Sequence, residues 1–195
     1  NRKMQSETTA LYAGLGEFVA KFEMTVFSIR QLLMFVITSR GGAPQALVTP
    51  AFAELTASPL RAVMLSTLAK AIDMTPEYDT REREIAHGIL GAVCARFAKL
   101  TEVRNEIVHG TWFIGWASAD QTDFTQASGF KPKNTKKGVL HQDISRDGAD
   151  FDKLIDECHE LTDLINRMMG LISGLRFSSN FKWDGKNVSL AEEVR

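Results

Sequence analysis

The residues best equipped for chemistry stand together in Arg104-Asn105-Glu106-Ile107-Val108-His109-Gly110. An arginine presents a planar fork that can hold a phosphate or a charged phosphorane through paired hydrogen bonds. A histidine takes up and releases a proton near neutral pH, which suits it to general acid or base work. Together, without clustered carboxylates, they are what metal-free RNA cleavage requires. In that reaction the 2′-OH loses its proton and attacks its own phosphate, and the departing 5′-oxygen is protonated. A single histidine performs only half of this exchange, so a second group is needed.

Helical geometry constrains how these residues can cooperate. Asn105 and His109 are one turn apart on the same face, where the amide can hydrogen-bond the imidazole and fix its tautomer. Arg104 lies about 140° away from His109 around an ideal helix. It must reach round, or the last turn must loosen, which a left-handed Gly110 would permit. A helix C-terminus favours a nearby cation by about 0.3–1 kcal/mol at exposed sites, in keeping with a proton-carrying His109. Read by spacing alone, the same residues also describe ordinary capping of a helix end.

The elements that position this stretch follow from hydrophobic periodicity. Leu11, Leu15, Phe18, Phe22, Val26, Ile29, Leu33 and Val36 recur at helical spacing and predict a helix from about Thr8 to Ser39. Gly41-Gly42-Ala43-Pro44 stops it. Glu23 and Arg30 share one side of that helix and are candidates to support a site contributed by another helix. A short helix is expected with Thr49 as its cap and Pro50 at its first position, and another from Ser58-Pro59 to about Asp73. The longest pattern runs from about Thr80 to His109 on the stripe Ile85, Ile89, Val93, Phe97, Leu100, Val103 and Ile107. Gly88 and Gly91 within it point to a close helix crossing or a bend.

Beyond Gly110 the period changes. The run Trp112-Phe113-Ile114-Gly115-Trp116 is aromatic and strand-prone. Phe124 to Lys131 and Gly138 to Ile144 then read as a hairpin with a wide basic tip holding Lys131, Lys133, Lys136 and Lys137. That tip is either a solvated loop or a phosphate-contacting arm. A final helix is expected from about Asp150 to Phe177. The fold class is therefore mainly α: a helical bundle with a small β-hairpin insertion, about 111–145, between its last two long helices. Residues 1–177 form the domain and 178–195 a loosely packed extension.

Composition narrows the partners. The 195 residues carry a net charge of −1, with 44% hydrophobic and 24% charged residues. Those values describe one globular domain and exclude a broadly basic nucleic-acid coat, so any RNA contact must come from a local patch. Cys94 and Cys158 are expected as buried free thiols in a reducing cytoplasm. His159 neighbours Cys158, Glu157 and Glu160, but adjacent helical residues point apart, so neither a metal site nor a cofactor is assigned. His87 is read as structural, and His141 stands in the hairpin where RNA could approach. No uninterrupted apolar run of about 18 residues or more occurs, and the first residues lead into no signal-peptide core, so no membrane is expected.

The pattern Arg-Asn-x-x-x-His-Gly at the end of a long helix, in a largely helical chain, resembles the HEPN family (higher eukaryotes and prokaryotes nucleotide-binding domain). Its hallmark is an arginine, four to six residues, then a histidine, often with a polar residue directly after the arginine. Arg104, Asn105 and His109 match those positions. The resemblance spans roughly residues 8 to 177, although its specific motif is seven residues long. It implies a HEPN-type bundle and a metal-independent endoribonuclease acting as a homodimer, in which the partner chain's copy of the motif supplies the second acid or base. It also implies roles in stress response or phage defence, with a cognate inhibitor or antitoxin as a further partner. Thr111 stands where some toxin-type members carry a tyrosine, so control by nucleotide modification is not implied.

On this reading Arg104, Asn105 and His109 are catalytic, and Glu23, Arg30 and Glu106 support them. Lys131, Lys133, Lys136 and Lys137, with Trp112 and Trp116, hold single-stranded RNA by charge and base stacking. Some members of the family do not cleave. The alternative is therefore a non-catalytic helical module that binds a nucleotide or a protein.

Overall fold

The structure, a computed structural model, describes residues 2–42, 44–115, 124–135 and 138–191. The chain is mainly helical, with a small antiparallel sheet between its last two long helices. In order come α1 (Arg2–Gly41), α2 (Gln45–Ala53), α3 (Ala57–Asp73), α4 (Thr80–His109), β1 (Thr111–Phe113), β2 (Gln126–Thr135), β3 (Gly138–Asp147) and α5 (Gly148–Met168). A 3-10 turn (Met169–Ser173), α6 (Phe177–Asn180), β4 (Phe181–Trp183) and β5 (Val188–Leu190) follow. The chain divides into two compact units: Asn1–Phe22 with Glu102–Cys158, and Glu23–Thr101 with His159–Arg195.

The first unit holds the motif. Leu11, Phe18 and Phe22 of α1, Ile107 of α4, Ile114 just after β1, Ala127 and Ile144 of the sheet, and Phe151, Ile155 and Cys158 of α5 are buried apolar residues of this unit. Gly14 lets Phe151 come close, since a Cβ there would sit 3.1 Å from the Phe151 Cβ. The sheet has strand order β1-β2-β3, all antiparallel, with Phe113 opposite Ser128 and Phe130 opposite Asp143. Alternation along the strands puts Trp112, Ala127, Gly129, Lys131, Gln142, Ile144 and Arg146 on one face. Phe113, Ser128, Phe130, His141, Asp143 and Ser145 occupy the other.

The second unit is built around the remaining lengths of α1, α4 and α5 with α2 and α3. Ile29, Leu33, Leu60, Met64, Leu68, Ile72, Ile89, Val93, Phe97 and Ile165 are buried there, on the faces that the helical period assigns them. Thr25 and Thr162 share a hydrogen bond of 3.0 Å in its interior. Burial pushes the Cys94 thiol up to about 11, the nearby Arg61 opposing the shift, so the neutral form persists well above neutrality. Both cysteines are buried thiols outside any disulfide.

Several boundaries differ from those the sequence predicts. Thr49 and Pro50 do not open α2 but lie inside it: Pro44 is the cap, and the Thr49 hydroxyl donates back to the Gln45 carbonyl at 3.0 Å. Two further residues join α3, with Thr56 as cap, leaving Pro59 in a first turn where its missing N–H costs nothing. The basic tip is not wide, because residues 132–135 continue β2 and pair with His141 to Gly138. Beyond Phe130, β2 is paired on one side only, the setting in which a strand tolerates a proline such as Pro132.

The final helix ends at Met168, well before Phe177. The apolar spacing continues past that point, but Gly170 admits the Leu175 side chain, and Gly174, at φ 76°, turns the backbone out of the helix. Residues after Ser178 are not a loose extension through residue 191. Phe177, Phe181 and Val188 are buried, and buried Glu82 accepts both the backbone N–H and the hydroxyl of Ser178. The β4–β5 turn is held by Asp184, which accepts the N–H groups of Lys186 and Asn187 at 2.8 and 2.7 Å and the Asn187 amide at 3.0 Å. Those bonds draw its carboxyl down to about 2. Gly88 serves this hairpin and not a helix crossing, since any Cβ there would overlap the Trp183 indole, while Gly91 has open space around its Cα.

By length and composition α1 is apolar enough to cross a membrane: the stretch Arg2–Ser39 contains an 18-residue window of mean hydropathy 1.3. Half of that window is buried inside the protein, and a core helix meets the same criterion. A search for uninterrupted apolar runs misses it because Lys21, Glu23 and Arg30 break the run.

Candidate functional site

The last turns of α4 carry the motif, and the sheet's inner face closes over one side of them. The helix stays regular through His109, and Gly110 is not left-handed, so the expected loosening of the final turn does not occur. Gly110 is small for a different reason. A Cβ there would lie 2.7 Å from the Glu106 carbonyl and 3.3 Å from the Trp112 indole nitrogen. That indole folds back and donates to the Ile107 carbonyl at 2.7 Å, capping the helix end. Gly129 makes room on the opposite side of the ring, at 3.2 Å from a would-be Cβ. Trp112 is thus tied to the helix terminus through its indole nitrogen.

Arg104 turns inward. Its guanidinium carbon lies 5.6 Å from the ring centroid of buried Phe22 on α1, and its Nη1 donates to the Asn105 side-chain oxygen at 3.3 Å. The sequence-based pairing of Asn105 with His109 is therefore corrected. The amide oxygen orients the arginine, because the neighbouring guanidinium is a charged donor. His109 is exposed, and among the described residues its imidazole has no hydrogen-bond partner. With the helix intact, Arg104 and His109 keep their angular separation of about 140°. Within one chain they do not converge on one point.

The sheet brings further charge to this end of α4. Lys131 reaches the Asn105 carbonyl, 3.4 Å from its Nζ, where a cation meets the negative end of the helix dipole. Glu106 accepts from Gln142 at 3.1 Å and from Arg146 at 2.9 Å, each charged side chain being 20% exposed. Glu106 therefore fastens β3 to α4. Replacing it with alanine leaves Arg146 without its carboxylate in a poorly solvated position and is expected to cost about 2 kcal/mol. That corresponds to a melting temperature lower by roughly 4–8 °C for a chain of this size. A melting curve within a degree of the parent would show that the pair does not hold the sheet.

The other predicted site residues are placed as follows. Glu23 and Arg30 lie in the second unit. Glu23 is exposed, and Arg30 donates to the Phe52 and Leu55 carbonyls at 3.2 and 3.0 Å, satisfying the C-terminal end of α2. Lys133 stands on β2 opposite Leu140. Lys136, Lys137 and Trp116 fall outside the described residues. Among the described residues, no three His, Cys, Asp or Glu side chains gather as a metal site. His87 is tied to Asp73 at 2.9 Å.

Gln142 and Arg146 are neighbours of the motif that the sequence reading did not single out. Their signal was present, since counting in twos from buried Ile144 puts both on the inner face. Phe22 could not be found that way, because the period marks it as core and says nothing of which side chain it meets. No protein-family model, no curated protein and no solved structure matches the chain.

Proposed function

We propose that the chain is a metal-independent endoribonuclease of HEPN type, active in the cytoplasm as a homodimer. The observation that carries this reading is the end of α4. There an arginine held by Phe22 and Asn105 and an exposed histidine lie on consecutive turns, and Lys131 of β2 reaches the Asn105 carbonyl. Arg104 would stabilise the charge that builds on the phosphate, and His109 would move the proton. Because the two diverge within one chain, a complete site needs a second copy of the motif, whose histidine would supply the other proton transfer. Tyr12, Met24, Phe27 and Phe35 of α1 are exposed apolar side chains, which favours self-association. A cognate inhibitor or antitoxin, and a part in stress response or phage defence, belong to the same reading.

Asn105 acts here as a positioning residue for the guanidinium. Its replacement by alanine is expected to lower kcat about tenfold through Arg104 while leaving the pH dependence of the reaction unmoved. A shifted pH profile would restore the amide to His109.

The test of the reading is cleavage of structured and unstructured RNAs in EDTA by the purified chain. Cutting that depends on both Arg104 and His109 supports it, and the absence of any cutting would overturn it. The second reading, a non-catalytic module that binds a nucleotide or protein, is favoured by the His109 ring, which no group among the described residues orients. Binding without cutting would establish that alternative.

A further inference from the structure

We propose that two copies of the chain pair through the outer edge of β3, antiparallel and with Gln142 on the two-fold axis, so that their sheets join into one of six strands. As the contact that completes the cleavage site, this rests on the nuclease reading; as a mode of self-association it does not.

β3 is the last strand in the order β1-β2-β3, and among the described residues it pairs with β2 alone. It is ten residues long, carries no proline, and is exposed from Gly138 to Asp143. The direction of its backbone groups follows from Pro132. Antiparallel pairs alternate between those that exchange N–H···O bonds and those that do not. Pro132 has no N–H to give and stands opposite His141, which fits the second kind. Val139, His141, Asp143 and Ser145 therefore turn their N–H and C=O groups away from β2. A row of such groups is a template for another strand.

The side chains select a second copy as that strand. Antiparallel pairing about Gln142 sets His141 opposite Asp143 of the second copy, twice over by symmetry. Both stand on the outer face of the sheet, and His141 can donate an N–H to the carboxylate. Asp143 is exposed, and among the described residues its carboxylate has no partner within the chain. In the same register Val139 meets Ser145 and Leu140 meets Ile144. Val139 and Leu140 are 56% and 62% exposed in one chain, and the second strand covers part of each. Moving the axis to either neighbouring residue sets like against like, Asp143 on Asp143 or His141 on His141.

The axis also falls beside the motif. Gln142 lies on the inner face and donates to Glu106 of α4 at 3.1 Å. Opposed residues that exchange no hydrogen bonds lie about 4.5 Å apart at Cα, so the two Gln142 residues bring the two α4 ends together. The second copy thereby reaches the site that one chain leaves incomplete.

The experiment uses the full chain without RNA. Under mild oxidation Gln142→Cys is expected to form a cross-linked dimer, because about 4.5 Å between Cα atoms is within disulfide reach. Leu140→Cys, whose own copy lies about 13 Å along the strands, is expected to stay uncross-linked, as is the parent with its buried thiols. In sedimentation, His141→Asp is expected to weaken the dimer about tenfold, since two cross-strand pairs change at once, and adding Asp143→His to restore it. Val139→Pro, which removes an N–H that β2 does not use, is expected to weaken it as well. A monomeric parent, no cross-link at Gln142→Cys, or a dimer indifferent to folded His141→Asp and Val139→Pro would each overturn the pairing. A dimer that obeys these rules but never cuts RNA would remove the nuclease and leave the edge contact. Cutting by a dimer indifferent to these substitutions would do the reverse.

Discussion

Alanine at either Arg104 or His109 is expected to lower RNA cleavage in EDTA by at least about a hundredfold, because on the proposed mechanism each removes a different contribution to the same transition state. Loss of Arg104 would remove the donors that meet charge accumulating on the phosphate; loss of His109 would remove a proton carrier. Lysine at position 104 recovers only part of the rate, since a point charge cannot reproduce the fork. Stability separates the two variants. The Arg104 guanidinium packs on buried Phe22, a contact worth about 0.5–2 kcal/mol, so Arg104→Ala lowers the melting temperature as well as the rate. His109 is exposed, so His109→Ala melts like the parent. A cleavage deficit in that variant therefore cannot be assigned to unfolding. Cleavage that persists in both variants would sink the nuclease.

The second large effect concerns the second copy. When the parent chain is unfolded and refolded with a ninefold excess of His109→Ala chain, nearly every parent subunit pairs with a dead one. If the site draws one histidine from each copy, activity per parent chain falls about tenfold, following the square of the parent fraction in a two-fold assembly. If each chain carries a complete site, activity per parent chain stays constant. The outcome bears directly on the divergence of Arg104 and His109 around α4, which the regular helix through His109 enforces. Sedimentation of the parent as a monomer at working concentration would contradict the composite site independently.

On the inner face of the sheet Trp112, Lys131, Gln142 and Arg146 engage α4, and Phe113 and Phe130 stand on the other. A one-residue slip of β1 against β2 would exchange Trp112 and Phe113 between the two faces. Buried Ala127 and Ile144, and the glycine that admits Trp112, hold the register in place.

Periodicity alone determined the helical character of the chain, the limits of α4 at Thr80 and His109, the buried stripes of α1 and α4, and the sheet's location between α4 and α5. These are local properties, since an apolar residue every third or fourth position stabilises a helix whatever it packs against. The sequence alone also marked Arg104, Asn105 and His109 as the residues able to do chemistry. Only the tertiary structure decided their partners. Asn105 could have turned to His109 and instead meets Arg104; Trp112 could have faced a base and instead caps α4; Glu106 secures β3. It also decided the end of α5 and the packing of residues 177–190, where Gly88 admits Trp183 and Glu82 meets Ser178. Each of these contacts joins residues whose local patterns are indifferent to one another. Their pairing is set by which side chains the assembled core brings within hydrogen-bonding or van der Waals distance, and no spacing along the chain encodes that distance.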